Sequence, residues 1–367
     1  MDKGIKMKSF FEGKRVLVTG CCGTIGRELV RQLLKVYGVE ELIGIDNNES
    51  EIFFEEQRFL GDPVHFFLAD IRDRRKIARK MMGVDIVFHT AAFKHVVLCE
   101  RSPFEAVQTN IMGIQNMVDA ASEAKIERMI FTSSDKAVNP TNVMGTSKLM
   151  GERLMTAANS NKRGNGPVFA STRFGNVLGS RGSVIPIFRE QIRKGGPVSL
   201  TDPRMTRFIM SIEQAVQLVI DTAYLAKGGE VFVTKMPVIR IQDLADVMIE
   251  ELASKYGHNP EHIDIEIIGT KPGEKQYEEL MTQEEVRRAL ELPRYFAVYP
   301  AFSSLYGEIQ YAYPEVVREK VDRPYHSANE SPLSREELRR FLYENRLIEG
   351  ESEGVFKPDK RYWGDER

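Results

Sequence analysis

Val16-Leu17-Val18-Thr19-Gly20-Cys21-Cys22-Gly23-Thr24-Ile25-Gly26 is the stretch that decides the fold. Val16 to Val18 is an apolar run of the kind buried on both faces of a parallel sheet. From Ile25 to Tyr37 the residues Leu29, Val30, Leu33, Leu34 and Tyr37 recur at helical spacing. Three glycines therefore stand between a strand and a helix. Gly20 permits a sharp turn, Gly23 lets backbone approach a pyrophosphate, and Gly26 lets helix pack on strand. The N-terminus of that helix, where Thr24 and Ile25 lie, then faces the phosphates. An ordinary glycine-rich strand–helix turn is the bland alternative. The flanking strand and helix favour a dinucleotide site.

The chain beyond the turn agrees. Leu42 to Ile45 reads as a second strand ending in Asp46, about 20 residues past the turn, where a carboxylate hydrogen-bonds the adenosine ribose of NAD. A carboxylate there repels a 2′-phosphate, and Asn47-Asn48-Glu49-Ser50 adds no basic residue, so NAD is preferred to NADP. Val64 to Leu68 is a third strand, leading to Asp70-Ile71. Asp85 to His89 is a fourth, and Thr90-Ala91-Ala92 after it are small enough for a cofactor to lie against the backbone. Lys94 and His95 follow, just past a strand end that points at the cleft. His95 suits a packed structural role as readily as a ligand role, and a lysine is by default a solvated face. Pro103 to Ala124 reads as one long helix with Asn110 near its middle, a place where a polar side chain is usually exposed. Strands alternating with helices specify an α/β fold with a doubly wound parallel sheet.

Arg128 to Phe131 is a fifth strand, and the chain then turns polar: Thr132-Ser133-Ser134-Asp135-Lys136. Ligands bind at the carboxyl ends of strands in such sheets. A hydroxyl, a carboxylic acid and an amine in a row there make an acid/base set; an inert ion pair on a loop is the plain alternative. Asn139-Pro140 breaks the chain, and Gly145 to Lys148 opens the next helix.

Composition narrows the classes. The chain has 367 residues, enough for one large or two modest domains, and a formal net charge of −2 with Lys and Arg spread along it. Nothing there argues for nucleic acid. No apolar run approaches a membrane span, and Met1 to Phe11 lacks the apolar segment of a signal peptide. A cytoplasmic protein is expected. Cys21, Cys22 and Cys99 have no zinc spacing, so no metal is expected and small packed residues are the reading.

Together these elements resemble the extended short-chain dehydrogenase/reductase family, on Thr19-Gly20-x-x-Gly23-x-x-Gly26, Asp70-Ile71, Ala91-Ala92, Asn110 and the stretch around Ser134. The resemblance implies a Rossmann-type sheet with a smaller C-terminal α/β substrate region. It also implies NAD held by Gly20, Gly23, Thr24, Ile25, Gly26, Asp46, Asn47, Asp70, Ile71, Ala91, Ala92, Asn110 and Lys148. The family's catalytic pair is Tyr-x-x-x-Lys. Lys148 matches the Lys, but Met144 stands at the Tyr, and methionine cannot exchange a proton. Ser134 to Gly145 is similar to the UDP-N-acetylglucosamine 4,6-dehydratases of polysaccharide biosynthesis, in the branch that carries Met and retains C5 configuration. Further matches are Ala92 to Val96, Phe174 to Val184, Asp202 to Phe208 and Lys271 to Lys275, and the likeness covers roughly residues 14 to 281.

That likeness implies a redox-neutral dehydration of UDP-N-acetylglucosamine. Lys136 is the candidate base at C5, which needs a neutral amine. Asp135 is the candidate acid at C6, kept protonated by burial. Ser134 relays the C4 hydroxyl proton, with Asp135 or a water near Lys148 accepting. Lys148 holds the nicotinamide ribose, and Met144 fills the tyrosine volume. Lys94, His95, Asn176, Arg181, Ser183, Val184, Arg207, Lys271 and Glu274 are the candidate substrate contacts, Arg181 suiting a diphosphate. The family implies a homo-oligomer. The rivals are a C5-inverting dehydratase, a nucleotide-sugar epimerase and a non-catalytic NAD-binding regulator. Residues 1–173 are expected to bind NAD and 174–348 the substrate, interwoven, with Glu349 to Arg367 a charged tail. Ser334-Arg335-Glu336-Glu337 is a capping box opening a helix to Tyr343.

Overall fold

The computed structural model describes residues 3–162, 164–180, 183–269, 273–302 and 308–348. Its centre is a nine-stranded sheet. The strands are β1 (Arg15–Thr19), β2 (Glu41–Asp46), β3 (Val64–Leu68), β4 (Ile86–His89), β5 (Arg128–Ser134), β6 (Val168–Phe174), β7 (Val231–Thr234), β8 (Ala289–Glu291) and β9 (Tyr295–Val298). Their order is β8-β9-β7-β6-β5-β4-β1-β2-β3. β1 to β7 pair in parallel, and β8 and β9 add an antiparallel edge. The order reverses between β1 and β4, which opens a crevice above their carboxyl ends.

Both faces of the sheet are covered, which is why its central strands are apolar without alternation. All four residues of β4 are buried, as are Val16, Leu17, Val18 and Thr19 of β1. The helix after the glycine turn, α1 (Thr24–Gln32), carries Leu29 and Val30 into the core and ends in a π turn over Leu33–Tyr37. Gly20 sits at φ +68°, and a Cβ there would lie 2.8 Å from the Ala91 backbone nitrogen. At Gly26 a Cβ would lie 2.1 Å from the Gly20 carbonyl oxygen. These two positions exclude side chains for the reasons the spacing predicts.

The long helix expected over Pro103–Ala124 is interrupted. It runs Pro103–Val107, then a π turn Gln108–Met112, then α2 (Gly113–Ala124). The extra residue of a π turn rotates its neighbours, and Asn110 is carried inward to 1% exposure. The next helix, α3 (Val143–Asn161), starts at Asn142, whose side chain accepts the Gly145 N–H. Glu100 accepts the Val143 N–H at 2.6 Å.

The second half of the chain gives β7, β8 and β9 to the main sheet. It also builds a three-stranded sheet from Asn176–Val177, Thr206–Met210 and Val238–Arg240. A second apolar core, including Ile185, Phe188, Ile209, Leu244 and Met248, lies around it. Ser334 and Glu337 form the reciprocal cap predicted from sequence, opening the helix Arg335–Glu344. Among the described residues, no helix is long and apolar enough to cross a membrane. The tail from Glu349 lies outside them.

Candidate active site

The strand ends open onto one cleft of ≈ 760 Å³, within the range of small-molecule sites. Gly20, Gly23, Thr24, Ile25, Gly26, Asp46, Asn47, Asp70, Ile71, Ala91 and Ala92 line one end. Ser134, Asp135, Lys136, Met144 and Lys148 line the other, with Lys94, His95 and Asn176. Residues spread through the first half of the chain thus meet around one space.

At the first end, the start of α1 points its backbone N–H groups into the cleft. Asp46 ends β2 and accepts the backbone N–H of Cys22 and of Asn48, each at 3.1 Å, which fixes its carboxylate beside the turn. Arg72 holds Asp70 below the usual carboxylate range, mainly through side-chain hydrogen bonds. An open glycine turn, a helix N-terminus and a fixed acid at the next strand end are the parts a dinucleotide requires. Cys21, Cys22 and Asp46 bring possible ligand atoms within 4.8 Å of one another. Both cysteines are buried, and the Cys22 thiol and burial push the Cys21 thiol up, away from the thiolate a metal needs.

Asn110 was expected to touch the cofactor and does not line the cleft. Its Oδ1 accepts the Phe93 N–H at 2.8 Å; its Nδ2 donates to Phe93 O at 3.0 Å and to Ser147 Oγ at 2.9 Å. It ties the segment after β4 to α3, the helix that carries Met144 and Lys148.

The acid/base trio stands at the end of β5, in a 3-10 turn over Asp135–Ala137. Ser134 Oγ donates to Asp135 Oδ1 at 2.6 Å, and Lys136 Nζ donates to the two Asp135 oxygens at 3.2 and 3.1 Å. Burial raises the Asp135 carboxyl, but Lys136 and the Ser134 hydroxyl outweigh it and the net shift is downward. Burial also opposes the Lys136 cation, but Asp135 and Glu278 outweigh it and the net shift is upward. Both directions correct the expectation of a protonated Asp135 beside a neutral Lys136. The two side chains are close enough to settle as an ion pair. The Lys136 side chain keeps 34% of its surface, open to the cleft.

Lys148 is buried. Its Nζ donates to Thr132 O at 2.9 Å and lies 4.8 Å from the centre of the Phe131 ring. Burial pulls its pKa down to about 8, against the pull of Glu152 and Cys99. Met144 is 3% exposed and packs with Cys99 and Ala106, Val96 and Val143 beside them. His89 at the end of β4 is held neutral by burial, its pKa lowered to about 3, and its Nδ1 meets Thr19 Oγ1 at 2.7 Å.

The expected substrate contacts divide. Lys94, His95 and Asn176 face the cleft; Ser183, Val184, Arg207 and Glu274 do not line it. Ser183 and Val184 are taken up in starting the helix Val184–Arg193, with Ser183 its N-cap. Arg207 turns away because its guanidinium serves the backbone. Nη1 donates to Thr206 O and Gln276 O, and Nη2 to Lys275 O, at 2.8, 3.2 and 3.0 Å. Glu274 lies 3.6 Å from that guanidinium. Arg181 and Lys271 lie outside the described residues. One charged group escaped the sequence reading. Glu278 is 5% exposed and sits against Asp135, Lys136 and Arg207. Its only sequence signal was its place just past the Lys271–Lys275 turn.

Residues 16–300 match the family model described as "Polysaccharide biosynthesis protein". An uncharacterised membrane protein of Methanocaldococcus jannaschii is 51% identical over 294 residues, covering 80% of this chain and 88% of its own length. A UDP-N-acetylglucosamine 4,6-dehydratase (inverting) of Campylobacter jejuni is 36% identical over 292 residues, 79% of this chain and 84% of its own. A UDP-glucose 4-epimerase of Rickettsia felis is 36% identical over 343 residues, 90% of this chain and 96% of its own. Among solved structures, Pen from Bacillus thuringiensis matches with a TM-score of 0.85 at 41% identity, over 92% of this chain and 99% of that one.

Proposed function

The chain belongs to the polysaccharide biosynthesis protein family, and on that premise we propose that it is an NAD-dependent 4,6-dehydratase of UDP-N-acetylglucosamine. The product is a UDP-4-keto-6-deoxy sugar with C5 configuration retained, destined for a surface glycan. Residues 1–173 are assigned to the cofactor and 174–348 to the sugar nucleotide. The observation that carries the reading is that Ser134, Asp135 and Lys136 share one cleft with the glycine turn, Asp46 and Lys148. An epimerase has no need of an acid and a base at C5 and C6, and a sensor has no need of the trio at all.

The cleft fits a dinucleotide. Gly20 and Gly26 leave the turn bare, the α1 N-terminus would hold the phosphates, and Asp46 would hold the ribose. NAD when bound supplies the hydride acceptor for C4 and the donor for C6. The protein's own residues move the protons. Loss of the C4 hydroxyl proton requires a path, and Ser134 Oγ, hydrogen-bonded to Asp135, is one. Asp135 rests ionised and receives that proton. It is thereby loaded as the acid that protonates the C6 hydroxyl as water leaves. Once Asp135 is neutral, Lys136 loses its closest counter-charge. Substrate filling the cleft desolvates the amine further, and it releases its proton to solvent, to be regained when the cycle closes, so that its neutral form is favoured. Neutral Lys136 takes the C5 proton and returns it to the same face, which retains configuration. Lys148, fixed on Thr132 O, would hold the nicotinamide ribose and supply positive charge there. Met144 occupies the tyrosine position as packing.

The test is direct. Incubation with UDP-N-acetylglucosamine and NAD should give a product lighter by one water, and C5 proton NMR should show retained configuration. No loss of water sinks the dehydratase, and an inverted C5 sinks retention.

A further inference from the structure

A third carboxyl belongs to the same cluster. Glu278 Oε1 accepts Asn176 Nδ2–H at 2.9 Å, and its Oε2 accepts the Phe208 backbone N–H at 3.2 Å. Oε1 also lies 3.9 Å from Lys136 Nζ and 3.4 Å from Arg207 Nε. The Glu278 and Asp135 carboxyls flank one ammonium, at 3.9 and 3.1 Å from Lys136 Nζ, and each bears on the ionisation of the other. Two buried carboxyls this close do not both ionise, so one keeps a proton. Asp135 is the ionised one, because the Ser134 hydroxyl and Lys136 both bond it directly. Glu278 has only the longer contacts to cations, and Arg207 spends its Nη donors on carbonyls.

Among the described residues the charged groups around Glu278 are few. Asp135 and Lys136 face it from the turn after β5, and Arg207 from the strand Thr206–Met210, with Glu274 beyond Arg207. Burial first, then Asp135, push its pKa up to about 8.

We propose that Glu278 is a positioning residue that stays protonated in the working enzyme, leaving Asp135 as the single carboxylate that faces Lys136. The consequence rests on the dehydratase reading. When Asp135 has taken the C4 proton, no carboxylate remains against Lys136, and the amine gives up its proton to the solvent that its open side reaches. An ionised Glu278 holds Lys136 cationic and blocks removal of the C5 proton. Turnover is therefore present while Glu278 is protonated and is lost as pH rises through its pKa. The carboxyl arrives on the segment that Arg207 clamps, so the base is set by a group from the far half of the chain.

Two measurements test this, one of them independent of the substrate. In an infrared pH titration, the wild-type protein should show a protonated-carboxyl stretch that fades with a midpoint near 8, and Glu278→Gln should lack that band. In dehydration assays, wild-type turnover should fall about tenfold per pH unit above that midpoint. Glu278→Gln is permanently neutral and keeps an N–H donor toward Asp135, so at one pH unit above the midpoint it should exceed wild type about tenfold. Glu278→Ala should lose about tenfold or more at every pH, since Asn176 and the Phe208 N–H lose their acceptor. Absence of the band in wild type, or its survival in Glu278→Gln, overturns the assignment whatever the protein turns over. A Gln variant with the wild-type alkaline fall overturns the link to Lys136. The expected band with no water lost from UDP-N-acetylglucosamine at any pH overturns the dehydratase reading and leaves Glu278 as the protonated partner.

Discussion

Arg173→Met removes a buried cation that joins three parts of the site's frame. Arg173 is 1% exposed on β6. Its guanidinium donates to Glu152 on α3 at 3.0 and 2.6 Å, to both Glu285 oxygens at 3.0 Å, and to Leu280 O at 2.8 Å. Burial opposes ionisation of Glu285, yet Arg173 holds its pKa down to about 2. Methionine keeps the stem and leaves two buried carboxylates facing each other. Removing one partner of a buried pair costs ~3–5 kcal/mol. The pH sign separates this from simple loss of packing. In the wild type Glu285 titrates below the unfolded value of about 4.3. Its contribution is complete above that value and is lost only as pH falls toward 2, so it is constant between pH 5.5 and 7.5. In the variant the Thr282 N–H and Arg288 still favour ionised Glu285, but burial is no longer offset by Arg173 and raises both carboxyls above their unfolded values. The native state then binds more protons than the unfolded state, and stability falls as pH rises. Urea unfolding should show a deficit of ~4 kcal/mol at pH 7.5, smaller by ~1 kcal/mol or more at pH 5.5. Adding Glu152→Gln and Glu285→Gln should restore most of it. A deficit under ~1 kcal/mol, or one equal at both pH values, refutes the reasoning.

Lys136→Met and Asp135→Asn should each lower dehydration by about 10²–10⁴-fold while NAD affinity, measured by titration calorimetry, stays near wild type. Loss of NAD binding in either would move the pair from acid–base work to cofactor binding. Gly20→Ala puts a Cβ 2.8 Å from the Ala91 nitrogen at φ +68°. The strain of ~1–3 kcal/mol should weaken NAD about tenfold or more, and an unchanged Kd would sink the cradle. Met144→Ala empties part of the Cys99–Ala106 packing. It should cost ~2–5 kcal/mol of stability and reduce turnover only through that loosening, with Met144→Leu close to wild type. A folded Met144→Ala as inactive as Lys136→Met contradicts its role as filler.

The parts of the site that were legible in sequence are those fixed by local chemistry. Gly20, Gly23 and Gly26 declare themselves because a strand precedes them and a 3.6-residue period follows. Asp46 and the Ser134–Lys136 turn lie at strand ends that the same periodicity locates. Asn110 was misplaced because a polar residue in a helical run reads as exposed, and the π turn that buries it has no signature in residue type. Arg207 was misread because nothing in its neighbourhood announces that three carbonyls of the chain will take its donors. Glu278 was missed because its meaning comes from Lys136 and Asp135, and that contact exists only after the second half folds over the first. The antiparallel edge of β8 and β9 was missed for a related reason. Ala289–Glu291 and Tyr295–Val298 are short runs, and the pairing of β9 with β7 and of β8 with β9 supplies the signal that their own length does not.

On the proposed reading, in which Met144 stands where the family's catalytic pair has tyrosine, a methionine there agrees with where the charges lie. A phenol at residue 144 would act as a base only if a cation beside it favoured its ionised form. Lys148 has been pulled down to about 8 by burial and its Nζ is committed to Thr132 O, so it offers a weakened cation for that purpose. At the end of β5 the balance runs the other way. Asp135 is buried and yet ionised, with a hydroxyl bonded to one oxygen and an ammonium to both. On the proposed reaction a group in that state accepts a proton at C4 and, once loaded, is the acid for the C6 hydroxyl. On the proposed reaction one carboxyl therefore does two tasks in sequence, and the proton taken from C4 is the one that leaves with water. No second base is required on α3, and a side chain that only fills space is sufficient there.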